Sequence, residues 1–241
     1  LFLEKIVNRG ANFIVTSSFK GSADLIGSWG LPPGKVEALM DGVDTGIFRP
    51  IPRIEARKAL KIGDDCPTVV FLGVLNSYQG IDHLLEAVKI LKERGRAFRF
   101  LIMGFPEEKY REKAESLGIA ELITFTGRID YSRTPLYLCA GDIAVSPKIS
   151  LTEANGKLLN YMACGLPTVV FDNPVNREIL GDTGVYVNHG DNSALAKEIE
   201  GLLDDRKRRD ELSARVREKA LRDHTWHARG KQLVEIYAKI V

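Results

Sequence analysis

From Thr68 onward, short apolar runs alternate with segments of helical periodicity. The runs cover residues 69–74, 98–103, 122–126, Ile143–Ser146, Thr168–Phe171 and Val185–Val187. Several are apolar at successive positions, as a parallel strand is when both of its faces are covered. The helical segments between and after them fall at residues 81–94, 107–117, 132–139, 156–164, 175–180 and 192–204. This rhythm predicts an α/β fold, a doubly wound, Rossmann-like parallel sheet with right-handed crossovers. Ligands of such sheets bind at the carboxyl ends of the strands. Gly73, Arg128, Ser146-Pro147-Lys148 and the turn at Asn155 all fall there.

The best-punctuated stretch runs from Asn155 to Val170. Asn155 is expected to cap a helix by accepting a backbone N–H bond. Leu158, Leu159 and Met162 give that helix an apolar face, and Asn160 lies on the same face as Lys157. Gly165 suits the left-handed residue that ends a helix, and Pro167 blocks its continuation. Lys157 stands out. It sits in the first turn, where the helix dipole disfavours a cation. A phosphate seated between the lysine and the backbone donors of Gly156 to Leu158 would make sense of it.

Bulk properties mainly exclude. A net charge of +2 gives no argument for nucleic acid. The basic run Arg206-Lys207-Arg208-Arg209 is interrupted by acids and reads as a solvated helix with pairs at helical spacing. Cys66, Cys139 and Cys164 stand in unrelated settings without metal-ligand spacing, which favours a reduced, cytoplasmic compartment. The four histidines show no metal spacing either, and no phosphate-binding glycine fingerprint appears. No stretch is long and apolar enough to span a membrane. Leu1-Phe2-Leu3 is followed at once by Glu4 and Lys5, which is too short for a signal peptide. The first residue is not methionine, so a piece of a longer polypeptide is expected.

Tyr161 to Val170 resembles the donor-site helix and strand of the GT-B glycosyltransferases, in particular glycosyltransferase family 4. The resemblance extends over nearly the whole chain. It takes in Thr68 to Gly73 with the following Gly80 to Ala87, Ile123 to Arg128, Asn176 to Leu180 and Gly184 to Val187. Asp44 to Pro50 resembles the segment leading into the family's second domain. By this resemblance residues 1–50 are the remnant and linker of an N-terminal domain, residues 51–222 the nucleotide-sugar-binding domain, and residues 223–241 a helix crossing back toward the first domain. The resemblance implies hexosyl transfer from a nucleotide-sugar, with retention and without a metal or other cofactor. It also implies that this chain is the donor-binding half, inactive alone. The expected partners are the nucleotide-sugar and the N-terminal domain of the same polypeptide. A homodimer could form through the apolar termini Leu1, Phe2, Leu3, Ile6, Ile236 and Ile240. The implied location is cytoplasmic or peripheral to the inner face of a membrane.

Three charged positions of the family's donor site are neutral here. Val74 and Gln79 replace the Arg and Lys that grip the diphosphate, and Asn160 replaces the glutamate that bonds the ribose. Thr152 stands where the family has its other glutamate, with Glu153 one place out of register. The candidate donor-binding residues are therefore Gly73, Arg128, Lys148, Thr152, Glu153, Asn155, Gly156, Lys157, Leu158 and Asn160. Glu153 is the one candidate for a catalytic role. Lysines ordinarily sit at the surface, so Lys148 and Lys157 are read either as surface charges or as replacements for the lost cations. Two other functions stay open: a glycosyltransferase-like binding module without donor, and a GT-B-fold nucleotide-sugar epimerase.

Overall fold

The computed structural model describes the backbone of residues 2–240, with side chains from residue 3 to residue 239. The chain opens with α1 (Phe2–Gly10), β1 (Ile14–Thr16), α2 (Phe19–Gly27) and β2 (Val36–Ala38), and β1 and β2 pair in parallel. An irregular stretch leads to α3 (Arg53–Leu60). The main unit then runs β3 (Thr68–Leu72), α4 (Ile81–Glu93), β4 (Arg99–Met103), α5 (Glu108–Ser116), β5 (Ile123–Phe125), α6 (Thr134–Cys139), β6 (Ile143–Ser146), α7 (Lys157–Ala163), β7 (Thr168–Phe171), α8 (Pro174–Leu180), β8 (Val185–Val187) and α9 (Asn192–Asp204). Two helices close the chain, α10 (Arg206–Asp223) and α11 (Trp226–Ile240). No helix among the described residues is long and apolar enough to cross a membrane.

All six strands of the main sheet are parallel, in the order β5-β4-β3-β6-β7-β8. The continuous apolar runs follow from helices on both faces. Val69 and Phe71 point into one core with α4 and α9, while the intervening Val70 points into the other with α6, α7 and α10. Helix α4 shows the matching helical spacing, burying Ile81, Leu84, Leu85, Val88 and Leu91 on the side that meets α9. The chain leaves β3 in one direction along the sheet and resumes at β6 in the other. The crevice between the ends of β3 and β6 is thus the topological switch point.

The expected helix at residues 132–139 is a 3₁₀ turn over Tyr131–Arg133 followed by the shorter α6. The charged run near residue 206 forms α10, with Arg206–Asp210 at 3.6 Å and Lys207–Glu211 at 3.8 Å on its exposed side. The early part of the chain packs on the sheet unit. Ser18 Oγ donates to the Thr152 carbonyl at 3.0 Å, and the amides of Phe19 and Lys20 donate to the Glu178 carboxylate at 2.9 and 2.8 Å. Helix α11 lies against residues 37–43, with Lys239 on Glu37 at 2.7 Å and Trp226 over Gly42. The apolar termini divide. Leu3 and Ile6 are 75% and 53% exposed, whereas Ile236 is buried within the chain. Leu1 and the side chains of Phe2 and Ile240 lie outside the described residues.

Candidate functional site

Helix α7 brings most of the candidate residues to the switch point. Its buried face (Leu158, Leu159, Tyr161, Met162) is the one the sequence predicts, and Gly165 has the left-handed φ of +73° expected of a helix stop. Fully buried Tyr161 fixes the helix to the sheet, its hydroxyl accepting the Leu72 amide at the end of β3 at 2.7 Å. Asn155 is not the cap that its position suggests. The capping residue is Gly156, and no side chain caps the helix. Asn155 turns inward instead and is buried. Its Nδ2 donates to Ser146 Oγ at 3.1 Å and to Asn176 Oδ1 at 2.9 Å, and Asn176 Nδ2 donates on to the Phe171 carbonyl at 2.8 Å. Polar side chains of β6 and α8 meet at this junction, and the Asn155 amide bonds both of them where a cap would face outward. The first turn is also tightened. The Leu158 amide donates to the Asn155 carbonyl at 2.9 Å and the Leu159 amide to Gly156 at 3.1 Å. Leu158 is therefore not a free anion donor, and its side chain is fully buried.

What α7 does present is the Lys157 cation. The residue is half-buried, and its ammonium lies 4.3 Å from the Phe71 ring centroid. It donates to the Gln79 side-chain carbonyl at 2.8 Å. Among the described residues no carboxylate is within ion-pairing distance of it. Gly73 makes room for it, since a Cβ there would come within 2.7 Å of the Lys157 Nζ. Burial, with Lys148 nearby, pushes the Lys157 pKa down to about 7. A lysine in this setting is a cation short of counter-charge.

Lys148 is not a surface lysine. It is buried at the end of β6, donating to the Ala154 carbonyl at 2.8 Å and pairing with Glu153 at 2.6 Å. Glu153 is itself exposed and also accepts the Tyr78 hydroxyl. The hydrogen bonds from Lys148 and Tyr78 hold its carboxyl below the usual range. Tyr78 and Gln79 belong to one loop after β3, so that loop grips both the β6–α7 loop and the first residue of α7. Gly80 allows a third contact. Its φ is +78°, and a Cβ on it would meet the Pro147 carbonyl at 1.8 Å. Sequence reasoning missed Tyr78, and its one signal was its place beside Gln79.

A second hollow adjoins the first. A cavity of about 210 Å³ is lined by Leu72, Gly73, Val74, Met103, Gly104, Phe105, Arg128 and Ile129. The Arg128 guanidinium lies 5.4 Å from the ring of the exposed Phe105. Exposed aromatic and guanidinium planes beside a glycine-lined wall can stack a flat ring. Gly156 is exposed beside Lys157, Thr152 is exposed with its carbonyl used by Ser18, and Asn160 is half-buried on α7. The structure thus groups Gly73, Lys148, Glu153, Gly156 and Lys157 around the crevice, with Arg128 across the cavity. No group of three or more His, Cys, Asp or Glu side chains among the described residues could hold a metal ion.

The family model described as glycosyl transferases group 1 matches residues 52–219. The chain belongs to this family. It is 30% identical over 216 residues to the GDP-mannose-dependent alpha-(1-6)-phosphatidylinositol monomannoside mannosyltransferase of Mycolicibacterium smegmatis, covering 85% of this chain and 56% of that protein. It is 26% identical over 245 residues to D-inositol 3-phosphate glycosyltransferase 2 of Catenulispora acidiphila, covering 96% and 57%. The chain therefore spans rather more than half the length of these relatives. In fold it is similar to sucrose-phosphate synthase from Thermosynechococcus elongatus, with TM-score 0.86 at 22% identity, covering 99% of this chain and 61% of that one. It is equally similar to Anabaena HepE solved in complex with UDP and glucose, with TM-score 0.87 at 16% identity, covering 98% and 66%. The two solved neighbours share the GT-B fold of this chain.

Proposed function

We propose that this chain is the donor-binding half of a retaining, metal-independent hexosyltransferase that uses a nucleotide-sugar. The carrying observation is the Lys157 ammonium, held in the switch-point crevice against Gly73 and Phe71 with only a neutral amide as its hydrogen-bond partner. In this reading the nucleoside base lies on Phe105 and Arg128 in the 210 Å³ cavity. The diphosphate crosses Gly73 to Lys157 and Lys148, which replace the cations lost at Val74 and Gln79. The sugar ends near Glu153. The two ammonium groups then neutralise the negative charge that grows on the leaving diphosphate as the glycosidic bond breaks, which is electrostatic stabilisation of the transition state.

Acceptor positioning is assigned to the N-terminal domain of the whole polypeptide, so we expect no sugar transfer from these 241 residues alone. The relative from Mycolicibacterium smegmatis is named for a phosphatidylinositol acceptor and GDP-mannose. That supports work at a membrane surface and makes GDP the first nucleotide to test, with UDP second.

The test is a calorimetric titration of wild type and Lys157→Ala with GDP and UDP. A charge-assisted hydrogen bond contributes roughly 1.5–3 kcal/mol. Lys157→Ala should therefore bind about tenfold to a hundredfold more weakly, with a melting temperature no lower than that of wild type, since the buried ammonium costs stability near neutral pH. Equal affinities would reject the role of Lys157. Absence of binding by either protein would favour the reading of a glycosyltransferase-like module without donor.

A further inference from the structure

Two of the three cysteines meet in the fold. Cys139 ends α6, and Cys164 is the residue that caps the carboxyl end of α7. Both are 5% exposed and pack in the same core. Both line one cavity, and each thiol perturbs the other's titration, with the Arg217 guanidinium acting on both. Arg217 is anchored by donating to the carbonyls of Phe48, at 3.0 Å, and Ala163. Cys139 Sγ also accepts the Ile51 amide at 3.4 Å. The pair lines a cavity of about 170 Å³ on the amino-end side of the sheet, away from the switch-point crevice. Charged Arg53, Arg209 and Asp210 line the same cavity, which gives a small polar oxidant a route to the sulfurs.

The roles of the two sulfurs differ. Cys139 Sγ accepts the Ile51 amide and donates to the Arg49 carbonyl at 3.6 Å, and the neighbouring Cys164 with the Ile51 amide holds its pKa below the ordinary thiol value. The neighbouring Cys139, with burial, pushes Cys164 up. A thiolate is the nucleophile in thiol oxidation, and a neighbouring thiol resolves the product.

We propose that Cys139 and Cys164 form a peroxide-reactive thiol pair, with Cys139 as the attacking and Cys164 as the resolving sulfur. The Cys139 sulfur attacks one oxygen of hydrogen peroxide. The O–O bond breaks, and the thiol proton leaves with the other oxygen as water, giving Cys139 sulfenic acid. The Cys164 sulfur then attacks the Cys139 sulfur. An S–S bond forms, the S–O bond breaks, and the hydroxyl leaves with the Cys164 proton as a second water. Two thiols lose two electrons in all, and one peroxide is reduced to two waters. The bridge ties the end of α6 to the end of α7, beside the backbone of Arg49 to Ile51 that Cys139 holds.

The test treats the intact 241-residue protein with hydrogen peroxide, alkylates it in denaturant, and weighs it. Cys66, half-exposed and not among the residues that line the cavity, is the internal control. The expected product loses two hydrogens and takes a single alkyl group, on Cys66. Unreduced digestion should yield a linked peptide containing Cys139 and Cys164, which dithiothreitol separates. Cys164→Ser should accumulate a Cys139 sulfenic acid that dimedone traps, while Cys139→Ser should leave Cys164 a free thiol under the same treatment. Three alkyl groups on peroxide-treated wild type would overturn the proposal. So would a Cys66-linked dimer with both buried thiols intact, or dimedone labelling of Cys164 in Cys139→Ser.

Discussion

At the scale of single residues the crevice is a matter of two lysines and what each is paired with. The native state favours neutral Lys157, because its pKa falls from 10.5 unfolded to about 7 folded. Between those values the unfolded chain binds the proton and the folded one does not, so stability from this group rises with pH from about 7 to 10.5. An anion bound beside the ammonium reverses the preference. Nucleotide binding near pH 7.5 should therefore take up a proton, and affinity should fall as pH rises above about 7. Calorimetry in two buffers of different ionisation enthalpy would show the uptake in wild type, and Lys157→Ala should lack it. Lys148 differs, because Glu153 already neutralises it. A phosphate can use Lys148 only after that pair opens. Glu153→Gln should then tighten GDP binding by about twofold to fivefold, the equivalent of roughly 0.4–1 kcal/mol for a partly exposed ion pair. Weaker binding by Glu153→Gln would show instead that the carboxylate itself contacts the ligand.

At the scale of elements the site depends on two loops held together. The loop after β3 meets the loop after β6 and the first residue of α7 through Tyr78–Glu153, Gln79–Lys157 and the close approach of Gly80 to Pro147. Gly80→Ala would have to push the Pro147 carbonyl away and adopt a positive φ. It should cost about 2–4 kcal/mol, combining left-handed strain with a backbone clash, and should weaken nucleotide binding as the loops part. Gly190 is the control. Its φ is +79°, but nothing lies within 4 Å of an added Cβ. Gly190→Ala should cost only about 1–2 kcal/mol and leave binding alone. Urea denaturation of the two variants separates strain from contact. Helix α7 also shows what was legible in the sequence. Its apolar face, its Gly165 stop and the strand after it are encoded within sixteen consecutive residues, from Asn155 to Val170, and were read correctly. The role of Asn155 was not. A capping bond and a buried bridge to Ser146 and Asn176 use the same side chain, and only the packing of β6 and α8 decides between them. The burial of Lys148 and the meeting of Cys139 with Cys164 were hidden for the same reason, since their partners come from other elements.

At the scale of the whole molecule the question is how residues 2–43 are joined to the sheet unit. Much of that joint passes through His224, the capping residue after α10. It is buried, with Nε2 against the Ile179 carbonyl at 3.0 Å and Nδ1 against the Arg229 guanidinium at 2.9 Å. Only one neutral tautomer fits, with Nε2 donating to the carbonyl and Nδ1 accepting from the arginine. Arg229 in turn donates to the Asp41 carbonyl at 3.2 Å, and the His224 carbonyl accepts the Val43 amide at 2.8 Å. Burial and the facing Arg229 push the His224 pKa down to about 4, with Lys219 lowering it and Asp223 raising it. The unfolded chain has the ordinary 6.5. Between those two values the unfolded state holds the extra proton, so stability from this group is complete above about 6.5 and is lost as pH falls toward 4. The buried partners mean that protonation would set two cations face to face and dissolve the link to Asp41. We expect the urea midpoint of wild type to fall between pH 7 and pH 4.5. His224→Gln keeps a donor for Ile179 and an acceptor for Arg229 in uncharged form, so its midpoint should fall less over the same range. Equal slopes for the two proteins would show that acid sensitivity in this range arises elsewhere.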